Sequence, residues 1–250
     1  MDMNKLLPRL DLYLAGDDYY AAEVNLSAWL KEAKKRGDWA ATVTILNEQI
    51  KVYRLYCSRL NAMPVIDEAL ALVKLLPRDS RIAGITFLNA ATAYSSFGEY
   101  DEAIRLFRRA KTILEAVQPP DDMDLAVLYN NMGAYYKDLG QYARAQTLTR
   151  KALKLMTEKH LSRSEIALTC CNLMDILFAS APDAKDERIA ELLKKTKALI
   201  RPHGGNYDSR YILACERCAS AYGRFGDAET ENDLRDRARV LRDSARRAFR

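Results

Sequence analysis

Alanines seven residues apart recur along this 250-residue chain, at Ala21 and Ala28, Ala62 and Ala69, Ala103 and Ala110, and Ala145 and Ala152. Successive pairs follow at steps of 41, 41 and 42 residues. A repeat of that length is one helical hairpin, too small to bury its apolar face alone, so it must stack on its neighbours. About nine residues before each pair stands a bulky residue: Leu12, Tyr53, Tyr94 and Tyr136. Continuing by 42 and then 44 residues reaches Phe178 and Tyr222, so six copies fill the chain. Between bulky residue and alanine lie Gly16-Asp17, Phe97-Gly98-Glu99, Leu139-Gly140-Gln141 and, in the last copy, Phe225-Gly226-Asp227. Glycine adopts the left-handed conformation that ends a helix without steric cost. Each copy therefore reads as helix A, tight turn, helix B. The small alanines let helix B lie close to its neighbours, and the bulky residue of helix A fills the space between units.

The punctuation between copies agrees. Pro119-Pro120 stops one helix, and Asp121-Asp122 supplies the carboxylates that cap the next. Ser162 with Glu165 has the spacing of a capping box. Asp79 or Ser80, after Leu76-Pro77, marks another helix start. No alternating strand-like run competes, so the chain is expected to be all-α. The expected units are 2–37, 38–77, 79–118, 121–160, 162–202 and 207–250, forming one elongated domain.

The segment from Asn130 to Leu153 resembles a tetratricopeptide repeat, through Met132, Gly133, Tyr136, Gly140, Tyr142, Ala145, Ala152 and Leu153. Phe87 to Ala110 is similar, through Tyr94, Gly98, Tyr100, Ala103, Phe107 and Ala110. The usual repeat of that family is about 34 residues. The longer period here is similar to that of kinesin light chains and bacterial peptide-sensing regulators. The resemblance implies a right-handed superhelical solenoid of about six antiparallel helix pairs, whose A helices line a concave groove. The fifth copy lacks the turn glycine and carries the stretch from Ser180 to Asp186 instead. The sixth places Ala228 and Glu231 where the fourth has Tyr142 and Ala145. Terminal repeats depart from pattern because their outer face must be polar.

Several function classes find no support. The first residues carry charges too early for a signal peptide, and no apolar run is long enough to span a membrane, so a cytoplasmic location is expected. Five cysteines without a scaffold spacing fit a reducing compartment. Cys215-Glu216-Arg217-Cys218 is a CxxC, but a structural zinc site needs four ligands and no second pair exists. The repeat register puts both cysteines, and equally Cys170-Cys171, at packing positions. His160 and His203 fall in inter-repeat links, and no nucleophile elbow, phosphate loop or HExxH occurs. Neither catalysis nor a cofactor is expected.

The net charge of +5 concentrates at the end, where Asn232 to Arg250 hold seven arginines against three aspartates. The two interleave at helical spacings, which favours intrahelical pairs on a solvated last helix over a nucleic-acid footprint. Recognition is then expected on the A helices. The candidates are Asn47, Lys51 and Arg54 in the second copy, Asn89 and Thr92 in the third, and Asn130, Asn131 and Lys137 in the fourth. Asn172 in the fifth and Arg224 in the sixth complete the set. Asn47, Asn130 and Asn172 each stand six residues before their ring. An amide both donates and accepts, so a row of them suits the backbone of an extended peptide; it equally suits bonds to the adjoining helix. The carboxylate clamp of chaperone-docking relatives does not carry over, because Val127 occupies one of its basic places. A scaffold that binds a peptide or protein segment is therefore expected. A peptide-sensing module, or assembly of copies through end faces, is the alternative.

Overall fold

The computed structural model describes residues 3–77, 80–182, 186–202 and 208–248. Asp79, His203, most of the loop between Pro182 and Asp186, and the last two residues lie outside that set. Twelve α-helices run through the described residues: α1 (Met3–Ala15), α2 (Tyr19–Lys35), α3 (Trp39–Leu55), α4 (Arg59–Leu72), α5 (Arg81–Ser96) and α6 (Tyr100–Ala116). They continue as α7 (Asp122–Asp138), α8 (Tyr142–Glu158), α9 (Arg163–Ser180), α10 (Glu187–Leu199), α11 (Ser209–Arg224) and α12 (Ala228–Arg247). A 3-10 turn, Val73–Leu75, extends α4. No strand occurs among the described residues, and none of their helices is long and apolar enough to cross a membrane.

The turns explain the spacing between ring and alanine. Gly98, Gly140 and Gly226 take φ of 81°, 70° and 88°. The next residue donates its backbone N–H to the carbonyl of the repeat's tyrosine: Glu99 to Tyr94, Gln141 to Tyr136 and Asp227 to Tyr222, at 2.8–2.9 Å. This bond closes a Schellman turn and satisfies a carbonyl orphaned by the helix end. In the second copy Cys57 holds the same left-handed place at φ 56°, with Ser58 bonding to Tyr53.

The first copy departs from the expected register. Its left-handed residue is Asp17 at φ 56°, not Gly16. Aspartate tolerates that conformation better than most residues. In α2 the buried residues are Ala22, Leu26 and Ala33, whereas Ala28 is exposed. Ala22 therefore corresponds to Ala62, Leu26 to Ile66, and Trp29 stands in the second alanine place. The step is 40, as the helix starts Tyr19 and Arg59 also require. The Ala21–Ala28 spacing is a coincidence of an alanine-rich helix.

The chain divides into two compact units, residues 1–10 with 18–128, and residues 11–17 with 129–250. In the first, α3 and α5 are buried around most of their circumference, by Val43, Ile45, Leu46, Ile50 and Val52 and by a run of small residues from Ala83 to Ala93. By contrast α6 buries one stripe, Ala103, Leu106, Phe107, Ala110 and Leu114, as an outer amphipathic helix does. The second unit repeats the contrast: α9 and α11 are enclosed, while α8 and α10 bury only Ala145, Thr149, Ala152 and Met156, and Ile189, Leu192 and Thr196.

Residues 11–17 add a feature the repeat pattern does not foresee. Asp11 accepts from both the backbone N–H and the hydroxyl of Ser209 at the start of α11. Arg246 of α12 donates its Nε to the Gly16 carbonyl at 2.8 Å, and Arg242 Nε lies 2.6 Å from Asp17 Oδ2. Gly16 is small for this approach, since a Cβ there would stand 3.3 Å from Arg246 Cγ. Arg237 donates to the Ile200 carbonyl at 2.7 Å. The arginines of α12 thus do more than solvate a cap. The expected intrahelical pairs are present beside these contacts, as Arg235–Glu231, Arg237–Asp233, Arg239–Asp236 and Arg246–Asp243.

Candidate interaction site

Helix α7 opens on Asp121, whose Oδ1 accepts from the backbone N–H groups of Met123 and Asp124 at 3.0 Å. Ser162 caps α9 by accepting from Glu165 N–H, but the capping box stays half closed: Glu165 reaches across to Arg210 of α11 at 2.6 Å. Asp208 caps α11 through Tyr211 N–H at 2.8 Å. These caps fix where each helix begins and hence which residues face one another.

In the second unit this alignment produces a continuous polar ladder. Asn172 Nδ2 donates to Asn130 Oδ1 at 3.1 Å, joining α9 to α7. Arg217 Nη2 of α11 donates to Asn172 Oδ1 at 3.2 Å and to Asp175 Oδ2 at 2.8 Å. Arg224 Nη1 reaches the other oxygen of Asp175 at 2.6 Å. Arg224 also lies over the Phe178 ring, 5.3 Å from its centroid, and Phe178 meets Phe225 edge to face at 5.9 Å. Two guanidinium groups share one carboxylate, so this cluster carries net positive charge. Arg217 and Arg224 are exposed, whereas Asn130, Asn172 and Asp175 are half-buried. Asn130 Nδ2 has no acceptor among the described residues.

The other expected residues fall differently. Asn131 and Lys137 belong to the same helix as Asn130, with Lys137 Nζ 3.2 Å from Asp138. In the first unit Asn47 is only 3% exposed and donates to Thr86 Oγ1 at 2.9 Å, which spends it on packing α3 against α5. Thr86 in turn donates to the Ile82 carbonyl, so the pair forms a buried chain of bonds. Lys51 pairs with Glu48 at 2.6 Å, and Thr92 donates to its own helix at Leu88. Asn89 Nδ2 is enclosed without a hydrogen-bond partner, and Arg54 is half-buried. The asparagines thus do different work, Asn47 inside the first unit and Asn130 with Asn172 on a face of the second.

Asp175 and Arg217 complete the ladder and are not among the expected site residues. Their signal was available: Asp175 follows Asn172 by three residues on one helical face, and Arg217 stands one repeat step beyond. Arg217 sits inside the CxxC, which drew attention to the cysteines instead. Those cysteines are buried, with Cys218 Sγ 3.5 Å from Cys171 Sγ. The neighbouring Cys171 thiol and burial both push the Cys218 thiol up, and burial pushes Cys170 up to about 12. Burial outweighs the attraction of Lys195 at Cys170 and of Arg237 at Cys215, so these thiols stay protonated and serve as packing groups.

Twelve helices, paired through tight turns closed by a left-handed residue in most copies, with enclosed A helices and one-sided B helices, define an all-α protein of stacked helical hairpins. Residues 82–158, spanning α5 to α8, match the profile of the tetratricopeptide repeat. The chain is similar in structure to BtubC (BKLC) from P. vanneervenii, at 18% identity over 90% of this chain and 91% of that one, with a TM-score of 0.64. A Podosopora anserina protein described as a kinesin light chain of nearly identical TPR-like repeats shares 16% identity over 81% and 95% of the two chains, at a TM-score of 0.51. PilW, a widely conserved type IV pilus biogenesis factor, shares 14% over 95% and 92%, at 0.52. No curated protein is matched by the sequence. The architecture is thus that of the tetratricopeptide repeat, and residues 82–158 carry the family's sequence pattern as well.

Proposed function

We propose that the chain is an interaction scaffold that takes up a peptide or protein segment along the face of α7, α9 and α11. The fold is one that serves protein–protein interaction generally. The observation that carries the finer reading is the Asn130–Asn172–Arg217–Asp175–Arg224 ladder, because it sets amide and guanidinium donors in a row across three helices. An extended backbone offers carbonyls at regular spacing to such donors, and the surplus guanidinium charge favours a segment with an acidic side chain or a free C-terminus. The reading assigns no catalytic step to these residues.

Selection of peptides from a random library against the purified chain tests this reading. Peptides that use the ladder bind at least about tenfold more weakly to the Asn130→Ala, Asn172→Ala double variant, while its helicity and melting are retained. If the selected peptides bind the double variant as well as the parent, the site assignment fails. Exchange of Asp175 for asparagine separates charge from shape. It leaves two unneutralised guanidinium groups and so strengthens binding of acidic peptides relative to neutral ones.

A further inference from the structure

A second binding feature lies in the first unit, far in sequence from the ladder. A cleft of about 710 Å³ runs between α4 with its 3-10 turn and α6, over α5. One wall carries Asp67, Leu70 and Lys74, and the other carries Leu106, Arg109 and Ile113. Each set follows i, i+3, i+7: Leu106, Arg109 and Ile113 share one face of α6, while Asp67 and Leu70 of α4 are continued by Lys74 in the 3-10 turn, so each wall extends about 10 Å. The buried Phe87 ring of α5 forms the floor, and the Arg109 guanidinium stands 4.2 Å from its centroid. The volume lies in the range of functional ligand sites, roughly 300–1,000 Å³.

Two cations line the cleft, Lys74 and Arg109. Lys74 and Arg109 are exposed, and neither has a carboxylate partner among the described residues. Asp67 stands about two turns from Lys74 along the same wall. The Lys74–Arg109 end is therefore cationic, above an aliphatic and aromatic floor. Two straight walls of helical spacing accept a third helix as knobs into holes, which suits them to an elongated occupant.

The geometry points to a docking groove for a short amphipathic helix of a partner protein, with aliphatic residues at i, i+3, i+4 and i+7 and glutamate or aspartate beside them. The aliphatic side chains occupy the space over Phe87, Leu106 and Ile113, and the carboxylates pair with Lys74 and Arg109. This groove is independent of the ladder on α7, α9 and α11.

The test uses the full chain and a synthetic, fluorescein-labelled 14-residue helix with leucines in that spacing flanked by glutamates. Three other probes accompany it: the glutamine version, a scrambled peptide and dodecanoate. Fluorescence anisotropy is expected to show saturable binding of the glutamate helix alone. Binding weakens at least about tenfold in the Lys74→Glu, Arg109→Glu double variant, because reversed charge at a contact repels as well as removing attraction. It weakens similarly in Ala71→Trp, which fills the groove from an exposed wall position. Circular dichroism of both variants matches the parent. Four results overturn the proposal: no binding of the glutamate helix, unchanged binding in the variants, equal binding of the glutamine helix, or binding of dodecanoate in place of the helix. The Asn130→Ala, Asn172→Ala variant binds the helix normally; loss of binding there would also overturn the assignment to this groove.

Discussion

Gly133 of α7 is packed so tightly against α8 that adding one carbon creates a clash. A Cβ at Gly133 would stand 2.2 Å from Thr149 Oγ1, 3.4 Å from Thr149 Cβ and 3.3 Å from the Ala145 carbonyl oxygen. Thr149 is fully buried, and being β-branched it has one restricted torsion with which to retreat. Overpacking of this kind costs about 1–3 kcal/mol. Alanine recovers about 1 kcal/mol over glycine through helix propensity, leaving a net loss of up to about 2 kcal/mol. For a chain of this length that lowers Tm by up to about 8 °C. Thr149→Ala alone is close to neutral: it loses a buried methyl but also a buried hydroxyl oxygen that has no hydrogen-bond partner. The Gly133→Ala, Thr149→Ala double variant removes the clashing oxygen and keeps the propensity gain, so its Tm returns to the parent value or above. The assay is thermal and urea unfolding of the parent, both single variants and the double variant, read as a double-mutant cycle. Gly140→Ala is the control. With φ of 70° and open space around it, its loss comes from backbone strain and is not rescued by Thr149→Ala. Additivity of Gly133→Ala and Thr149→Ala within about 0.5 kcal/mol would refute the steric reasoning.

Asp17→Asn keeps a residue that tolerates the left-handed conformation and removes only the charge facing Arg242 and Arg246. It lowers Tm by a few degrees at low salt and much less at about 1 M salt, where ionic screening already weakens the pair; equal losses at both would contradict an ionic contact. Asn47→Ala removes a buried bond to Thr86 and destabilises by about 1–2 kcal/mol, while leaving ladder-dependent peptide binding unchanged in titrations. Alkylation of the native chain at pH 8 modifies Cys57 alone, because Cys57 is exposed and the other four cysteines are buried. Peptide mass mapping checks this, and rapid modification of Cys171 or Cys218 would contradict their packing role.

Period, helix polarity and turn chemistry were legible in the sequence because each is local. A residue that must be small, bulky or left-handed in one copy must be so in the next, and stacking a hairpin repeats that demand every 40 to 45 residues. The limits were local too. In α2, alanines at adjacent positions make two registers look alike, and only burial separates Ala22 from Ala21. Asn47 and Asn172 share a place in the repeat, yet Thr86 takes the first inward while Arg217 and Asn130 meet the second at a half-buried face.

By itself the sequence determined the all-α hairpin architecture, the place of its turns and the burial of its CxxC. Tertiary structure alone decided what the charged residues do. The arginines of α12 find Gly16 and Asp17 some 230 residues away in the chain, and Asp175 finds Arg217 and Arg224 across a helix interface. Periodicity encodes which face of a helix is apolar, since water enforces that pattern everywhere. The partner of a long, flexible charged side chain depends on distances of a few ångströms between elements, and no local pattern carries that information.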